Sequence, residues 1–407
     1  MTKYFKKLPN SPVDDIMTAN ARWPEFQKTH ANAINTTIGV IIDAYTLKPW
    51  QPDTVVNARL QTLRSITENH TFGYQTQIGN PAFLQEAAKM TFGNELHGQI
   101  SHDLLSYQSL GGTGALSLVK ETLKSFMTPN EENEISLVLD SGWPNHPAIF
   151  AEPFHVVTYS HSDPETGHYN HAGAMEIISQ AADGHALLLQ TCGYNDDGAD
   201  RTQQQWDEIL DLAQKKQSVL ILDSAYMGLA SGLEADRYPI QQAIKRGLLS
   251  FVCVSYSKNM GLYNERLGVL FIANAGQILG KEQAYNLHQL VTRVVRRTIS
   301  SQPLLVAESA AQVLRQKAFY EELESARKRI VANRNMIADA LIKKIPHVNE
   351  GKGLFTKLLP GGFTDTQLKA LEEQSILMLP NSRINLGGMR LDQAKKVGIA
   401  IASTLNC

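Results

Sequence analysis

One lysine, Lys258, stands between two apolar runs, 248–254 and 269–273, in the segment Ser255-Tyr256-Ser257-Lys258-Asn259-Met260-Gly261-Leu262-Tyr263-Asn264-Glu265-Arg266-Leu267-Gly268. A primary amine condenses with an aldehyde to form a Schiff base, and it becomes nucleophilic when its surroundings lower its pKa. Ser255 and Arg266 flank it with a hydroxyl and a guanidinium, donors suited to a phosphate. The alternative is a lysine in a solvated turn. A second anion signal is Ser109-Leu110-Gly111-Gly112-Thr113-Gly114, a glycine cluster running into an amphipathic helical stretch, 116–127. Glycines at the head of a helix present backbone N–H groups at the positive end of its dipole. No Gly-Lys-Ser/Thr follows, so this is not a Walker loop, and the spacing is not the dinucleotide fingerprint.

Such groups must be held by regular elements. Apolar runs predict strands over 135–139, 186–190, 219–222, 251–254 and 269–273, with helical patterns between them. One such helix, 205–216, is opened by Thr202-x-x-Gln205 in capping-box spacing. Strands alternating with helices predict a mostly parallel sheet covered on both faces, with ligands gathered beyond the strands' carboxyl ends. Trp143, Asn195, Asp223 and Lys258 each follow or close such a strand. Elsewhere, 34–43 reads as a strand or extended crossing, 54–69 and 276–300 as helices, and 306–344 as one long helix. The first thirty residues, with Pro9, Pro12 and Pro24, read as an arm with one short helix.

A chain of 407 residues exceeds what one core usually fills, so two or more domains are expected. A net charge of −2 gives no reason to propose nucleic acid or an anionic membrane as partner. Three unpatterned cysteines fit a reducing compartment. The N-terminus lacks the apolar core of a secretory signal, and no apolar run approaches ~20 residues, so a cytoplasmic location with no membrane span is expected.

Ser255-x-x-Lys258-x-x-Gly261-Leu262-Tyr263-x-x-Arg266-x-Gly268 resembles the pyridoxal-phosphate lysine segment of the aspartate and aromatic aminotransferases, which belong to the fold-type-I class. The resemblance extends from about Ile38 to Arg383. It implies that Lys258 is the Schiff-base lysine and proton shuttle. Asp223 would face the ring nitrogen of pyridoxal 5′-phosphate and keep it protonated, since opposite charges favour each other's ionised forms. The protonated ring is the electron sink of the chemistry. Tyr226 and Asn195 would hydrogen-bond the ring oxygen, and Trp143, in Trp143-Pro144-Asn145-His146, would stack on the ring. Gly112, Thr113, Ser255 and Arg266 would hold the phosphate, joined from the other subunit of a homodimer by Tyr74, which has Gly79 and Phe83 at the family's offsets.

For the substrate, the resemblance implies Gly39 at the mouth and Arg383 gripping the α-carboxylate, with a planar fork that lysine cannot copy. Arg296 would enter the neighbouring site to meet a side-chain carboxylate, with Arg297 as the second choice. Without the resemblance, Gly39 reads equally as a turn glycine, Tyr74 as a packing residue and Trp143 as core. Asp223 reads as a helix N-cap and the 293–297 arginines as a solvated face. Two departures stand out. Asn195-Asp196-Asp197-Gly198 replaces an Asn-Pro-Thr-Gly turn, and Gly111 replaces a residue that is usually polar.

The expectation is an α/β protein of three parts. An arm and part of the small domain occupy 1–49, a large domain with a mostly parallel seven-stranded sheet occupies 50–315, and a smaller α/β domain occupies 316–407. Its function would be transamination between aspartate or an aromatic amino acid and 2-oxoglutarate, in a homodimer with shared active sites acting on small-molecule amino acids and 2-oxo acids. The alternatives are decarboxylation or β-elimination with the same cofactor, suggested by the altered turn, and a ligand-sensing regulator. The regulator is the less expected of these, since such proteins typically add a DNA-binding segment and the N-terminal stretch reads as too short for one.

Overall fold

The structure is a computed structural model that describes residues 15–127, 136–140, 142–341, 345 and 347–405. The described chain opens on a helix, Asp15–Thr29, and a two-residue strand, β1 (Ile34–Asn35). Strand β2 (Leu105–Leu110) runs directly into the helix Gly111–Leu123. Then come β3 (Leu137–Asp140), β4 (Val156–Tyr159), β5 (Ala186–Gln190), β6 (Val219–Ser224), β7 (Ser250–Ser255) and β8 (Leu267–Ala273). Three short strands close the set: β9 (Phe355–Lys357), β10 (Ile376–Leu377) and β11 (Arg383–Asn385).

Seven of these form one sheet in the order β2-β8-β7-β6-β5-β3-β4. The pairings from β4 through β7 are parallel, and β8 alone runs antiparallel to its neighbours. The α/β fold with a mostly parallel seven-stranded sheet is therefore the observed one. Successive side chains of a strand point to opposite faces, and both faces here are covered. Leu187 and Leu189 pack into one apolar cluster while Ala186 and Leu188 pack into the other. In β6, Leu220 and Leu222 divide from Val219 and Ile221 in the same way. This explains why the strands read as continuous apolar runs rather than alternating ones.

Two small sheets lie apart from the large one. β1 pairs parallel with β10, Ile34 opposite Ile376, so the start of the described chain packs with its end. β9 and β11 pair antiparallel, with Lys357 opposite Arg383. The helix Lys317–Leu341 packs against Leu391–Thr404 beside them.

Several predicted elements are shorter or broken. The expected strand 34–43 ends at Asn35, whose side chain accepts from the backbone N–H and the hydroxyl of Thr37, turning the chain. The helix expected over 116–127 begins earlier and spans Gly111–Leu123. The stretch 276–300 is two helices, Ala275–Leu279 and Lys281–Thr298, parted at Gly280, whose φ of +82° no helix accommodates. The stretch 306–344 is likewise two, Leu305–Leu314 and Lys317–Leu341, and 342–344 lie outside the described residues. The N-terminal helix is fifteen residues long rather than short, despite Pro24 within it. Residue 135 and Cys407 also lie outside the described residues.

Candidate active site

The carboxyl ends of β2, β3, β5, β6 and β7 converge on one edge of the sheet, and antiparallel β8 begins there. Around that edge lies a cavity of about 300 Å³. It is lined by Gly39, Gly112, Thr113, Trp143, Asn195, Asp223, Tyr226, Ser255, Lys258, Arg266 and Arg383. Larger cavities exist, of about 720 and 570 Å³, but neither includes Lys258. The smaller one gathers the Lys258 amine, the Asp223 carboxylate, the Arg266 and Arg383 guanidinium groups and the N-terminus of the helix Gly111–Leu123.

At one end, Asp223 is 5% exposed, and its Oδ2 accepts a hydrogen bond from His146 Nε2 at 2.9 Å. His146 is wholly buried and stands edge-on to Trp143, ring centroids 5.0 Å apart, so one histidine fixes both the carboxylate and the indole. Tyr226 donates to Asn195 Oδ1 at 2.6 Å. Burial holds the Tyr226 phenol well above its usual range, so it stays a donor at neutral pH. Arg383 donates from Nε to the Asn195 carbonyl at 2.9 Å and from Nη2 to Asn195 Oδ1 at 3.3 Å. Its guanidinium also lies 3.6 Å from the centre of the Phe355 ring, a cation–π contact. Burial lowers the pKa of Arg383, with Tyr226 and Asp196 opposing.

At the other end, the helix Gly111–Leu123 starts directly from β2 with no side-chain cap. Gly112 sits so close to Ser255 that a Cβ there would lie 3.1 Å from the serine Cβ. Gly111 has φ +72°, and a Cβ there would meet Arg266 Nη2 at 2.5 Å. The positive φ favours glycine at position 111, and a side chain there would require the Arg266 guanidinium to shift. Arg266 is braced by donating from Nη1 to the Tyr263 carbonyl at 2.9 Å and to Ser257 Oγ at 3.3 Å. Helix dipole, two serines and an arginine together make an anion cradle.

Lys258 lies between the two ends, half-buried, with Nζ 5.1 Å from the Tyr226 ring centre. Burial pushes its pKa down to about 8; Asp223 opposes this, while Arg266 and Arg383 reinforce it. A lysine so placed is neutral in a useful fraction of molecules near pH 7, the condition for attack on a carbonyl.

Tyr74 and Arg296 are not brought to this cavity. Tyr74 is 94% exposed, and Arg296 is exposed on the helix Lys281–Thr298, donating to Ser300 Oγ at 2.8 Å. Arg297 pairs with Glu121 at 3.1 Å. The two unexpected carboxylates do not line the cavity either. Asp196 pairs with Lys357 at 3.3 Å, and Asp197 accepts from the Ala199 backbone within its own turn. Decarboxylation or elimination therefore loses the feature that suggested it.

Residues that sequence reasoning left without a role include His146, Gln190, Tyr263 and Phe355. Gln190, at the end of β5 opposite Asp223, accepts from the Asn195 backbone through Oε1 at 3.2 Å. Tyr263 OH accepts from the Ile41 backbone at 2.9 Å, fixing the segment beside Gly39. The partners of His146, Tyr263 and Phe355 lie far along the chain, at Asp223, Ile41 and Arg383, whereas that of Gln190 is five residues on.

Comparison with known proteins identifies the family. The family model for aminotransferase class I and II matches residues 44–398. The chain is 29% identical over 409 residues to the cytoplasmic aspartate aminotransferase of Schizosaccharomyces pombe, covering 97% of each. It is 28% identical over 418 residues to the aromatic-amino-acid aminotransferase of Escherichia coli, covering 98% of this chain and 100% of that one. A solved structure of the aromatic-amino-acid aminotransferase of Burkholderia pseudomallei, covalently bound to pyridoxal phosphate, matches with a TM-score of 0.88 at 26% identity. That match covers 99% of this chain and 100% of the other. The family match takes in every strand of the large sheet and nearly all of the cavity lining, and the chain belongs to the class I and II aminotransferases.

Proposed function

We propose that the protein is a pyridoxal-phosphate-dependent aminotransferase that exchanges an amino group between aspartate or an aromatic amino acid and 2-oxoglutarate. The observation that carries this is Lys258, its amine pushed down to about 8, placed between the buried carboxylate of Asp223 and the anion cradle. The cavity fits the cofactor in kind. A phosphate matches Gly112, Thr113, Ser255 and Arg266, a flat ring matches Trp143, and a ring nitrogen matches Asp223. When bound, pyridoxal phosphate supplies an aldehyde for the amine and a protonated ring that withdraws electrons from the substrate carbon.

The chain's own residues supply the rest. Arg383 holds the α-carboxylate and thereby orients the Cα–H bond toward the amine. Lys258 Nζ takes the proton from Cα and returns it on the other side of the exchange. His146 keeps the Asp223 carboxylate fixed, and Tyr226 with Asn195 forms the donor pair beside the lysine. We further propose a homodimer in which Tyr74 and Arg296 act in the partner's cavity, and a cytoplasmic location. The latter is supported by the S. pombe relative's name, and among the described residues no helix is long and apolar enough to cross a membrane.

The test is to supply pyridoxal phosphate, reduce with borohydride and map the label. Label on Lys258 is expected. A colourless protein with no label at that residue would overturn the assignment. Titration of the loaded protein with aspartate, tyrosine and phenylalanine then ranks the donors by loss of the aldehyde form's absorbance.

A further inference from the structure

The turn after β5 places two carboxylates, Asp196 and Asp197, between Asn195 and Gly198. Asp196 reaches across to the strand that accompanies Arg383, where Lys357 Nζ donates to its Oδ2 at 3.3 Å. Lys357 and Arg383 are direct register partners on antiparallel β9 and β11, so their side chains leave the same face of that ribbon. Arg383 in turn grips Asn195, the residue before Asp196, through both its carbonyl and its side chain. Two cations thus stand side by side, and a single anion from the opposite wall answers one of them. Arg383 is 5% exposed, whereas the Lys357 and Asp196 side chains are 25% and 27% exposed. The pair is therefore part-buried just outside the cavity lining, Asp196 next in sequence to Asn195 and Lys357 next in register to Arg383.

We propose that Asp196 and Lys357 form a counterbalanced charge pair that sets how tightly Arg383 holds the substrate's α-carboxylate. This rests on the aminotransferase reading, in which Arg383 is that anchor. An arriving carboxylate is repelled by Asp196 and attracted by Lys357, and the two terms nearly cancel while both residues are present. Removing one partner leaves the other's charge unopposed beside Arg383. Asp196→Asn uncovers the lysine and tightens carboxylate binding; Lys357→Met uncovers the aspartate and loosens it. The double variant returns close to the starting affinity, because the two residues act as one unit. A pair that merely braced the turn against β9 would be broken equally by either change, and both variants would move the same way.

The experiment uses the full-length enzyme loaded with pyridoxal phosphate, as wild type, the two single variants and the double variant. Each is titrated with succinate and with 3-phenylpropionate, carboxylates that have no amine to transfer, and Kd is read from the absorbance of the bound cofactor. Expected are shifts on the order of three- to tenfold in opposite directions for the two single variants. They should be of similar size for both probes and shrink as salt is raised. Shifts of the same sign in both single variants, or no shift in either, would overturn the inference while leaving the aminotransferase reading intact. A wild-type protein that takes up no cofactor would overturn both, and it would do so before any variant is compared.

Discussion

Two regions of the molecule carry the expected chemistry, and they differ in completeness. At the carboxyl edge of the large sheet, Asp223, Tyr226, Asn195, Lys258 and Arg383 meet around one cavity; hydrogen bonds of 2.6 to 3.3 Å tie Tyr226, Asn195 and Arg383, and one of 2.9 Å holds Asp223 to His146. On the outer face, Tyr74 and Arg296 point into solvent. The helix Asp53–Glu68 near Tyr74 in sequence exposes Val56, Leu60 and Leu63 at helical spacing, and Phe72 beyond it is 68% exposed. Apolar side chains left in water in this number mark a surface made to be covered. The difference teaches that the ring-binding half of the site is built within one chain. Under the proposed homodimer, the half that selects the substrate's far end would be completed by a second copy.

The sharpest way to break that contrast is to disable each region in a separate chain. Lys258→Ala should lower turnover by roughly 10⁴-fold or more, the upper range for a positioned acid–base group. Arg296→Ala should leave aspartate turnover low through the other half. Co-expression of the two variants should restore aspartate turnover, because a mixed dimer carries one site with both an intact Lys258 and an intact Arg296. Steady-state rates of the separated and mixed preparations check this. Mixed dimers no more active than their parents would show that Arg296 serves its own chain or none.

A smaller effect sharpens the same contrast. Arg296→Ala alone should reduce kcat/KM for aspartate by about 10²-fold, the loss expected for a charge-assisted pair with a carboxylate. For phenylalanine, which offers no second carboxylate, the loss should stay under about tenfold. Equal losses for both donors would point to Arg297, which pairs with Glu121 on the same face, or to another anchor.

How much of this could be read from the sequence follows the same division. The strands were legible because a sheet covered on both faces demands unbroken apolar runs. The helix Gln203–Lys215 was legible because Thr202 and Gln205 cap each other reciprocally, at 3.2 and 2.9 Å. Breaks at Gly280 and at 315–316 were hidden, since no proline marks either. His146 stood in plain view beside Trp143, but its role depends on Asp223, 77 residues onward, and no local pattern encodes that meeting. Asp196 was visible as a departure, but only the register of β9 with β11 reveals which cation it answers. Local physics writes the elements, while contacts between strand ends write the site.

The smallest predicted effect is the most specific to the inner region. In the protein without cofactor, the rate at which Lys258 is trapped by a simple aldehyde and borohydride should rise with pH and level off above about 8. An ordinary lysine, near 10.5, would still be climbing there. At pH 7 this leaves roughly a tenth of the amines neutral, against fewer than about one in a thousand for an unperturbed side chain. The proton also links to folding: the unfolded chain binds it more tightly, so stability should rise with pH between about 8 and 10.5. The neighbours give the signs of the variants. Asp223 favours the ammonium, so Asp223→Asn should move the midpoint down; Arg266 disfavours it, so Arg266→Met should move the midpoint up. Arg296→Ala, acting on the outer face, should leave the midpoint where it is. A midpoint that followed Arg296 instead of Asp223 and Arg266 would mean that the two regions are one site within a single chain, and the contrast between them would fall.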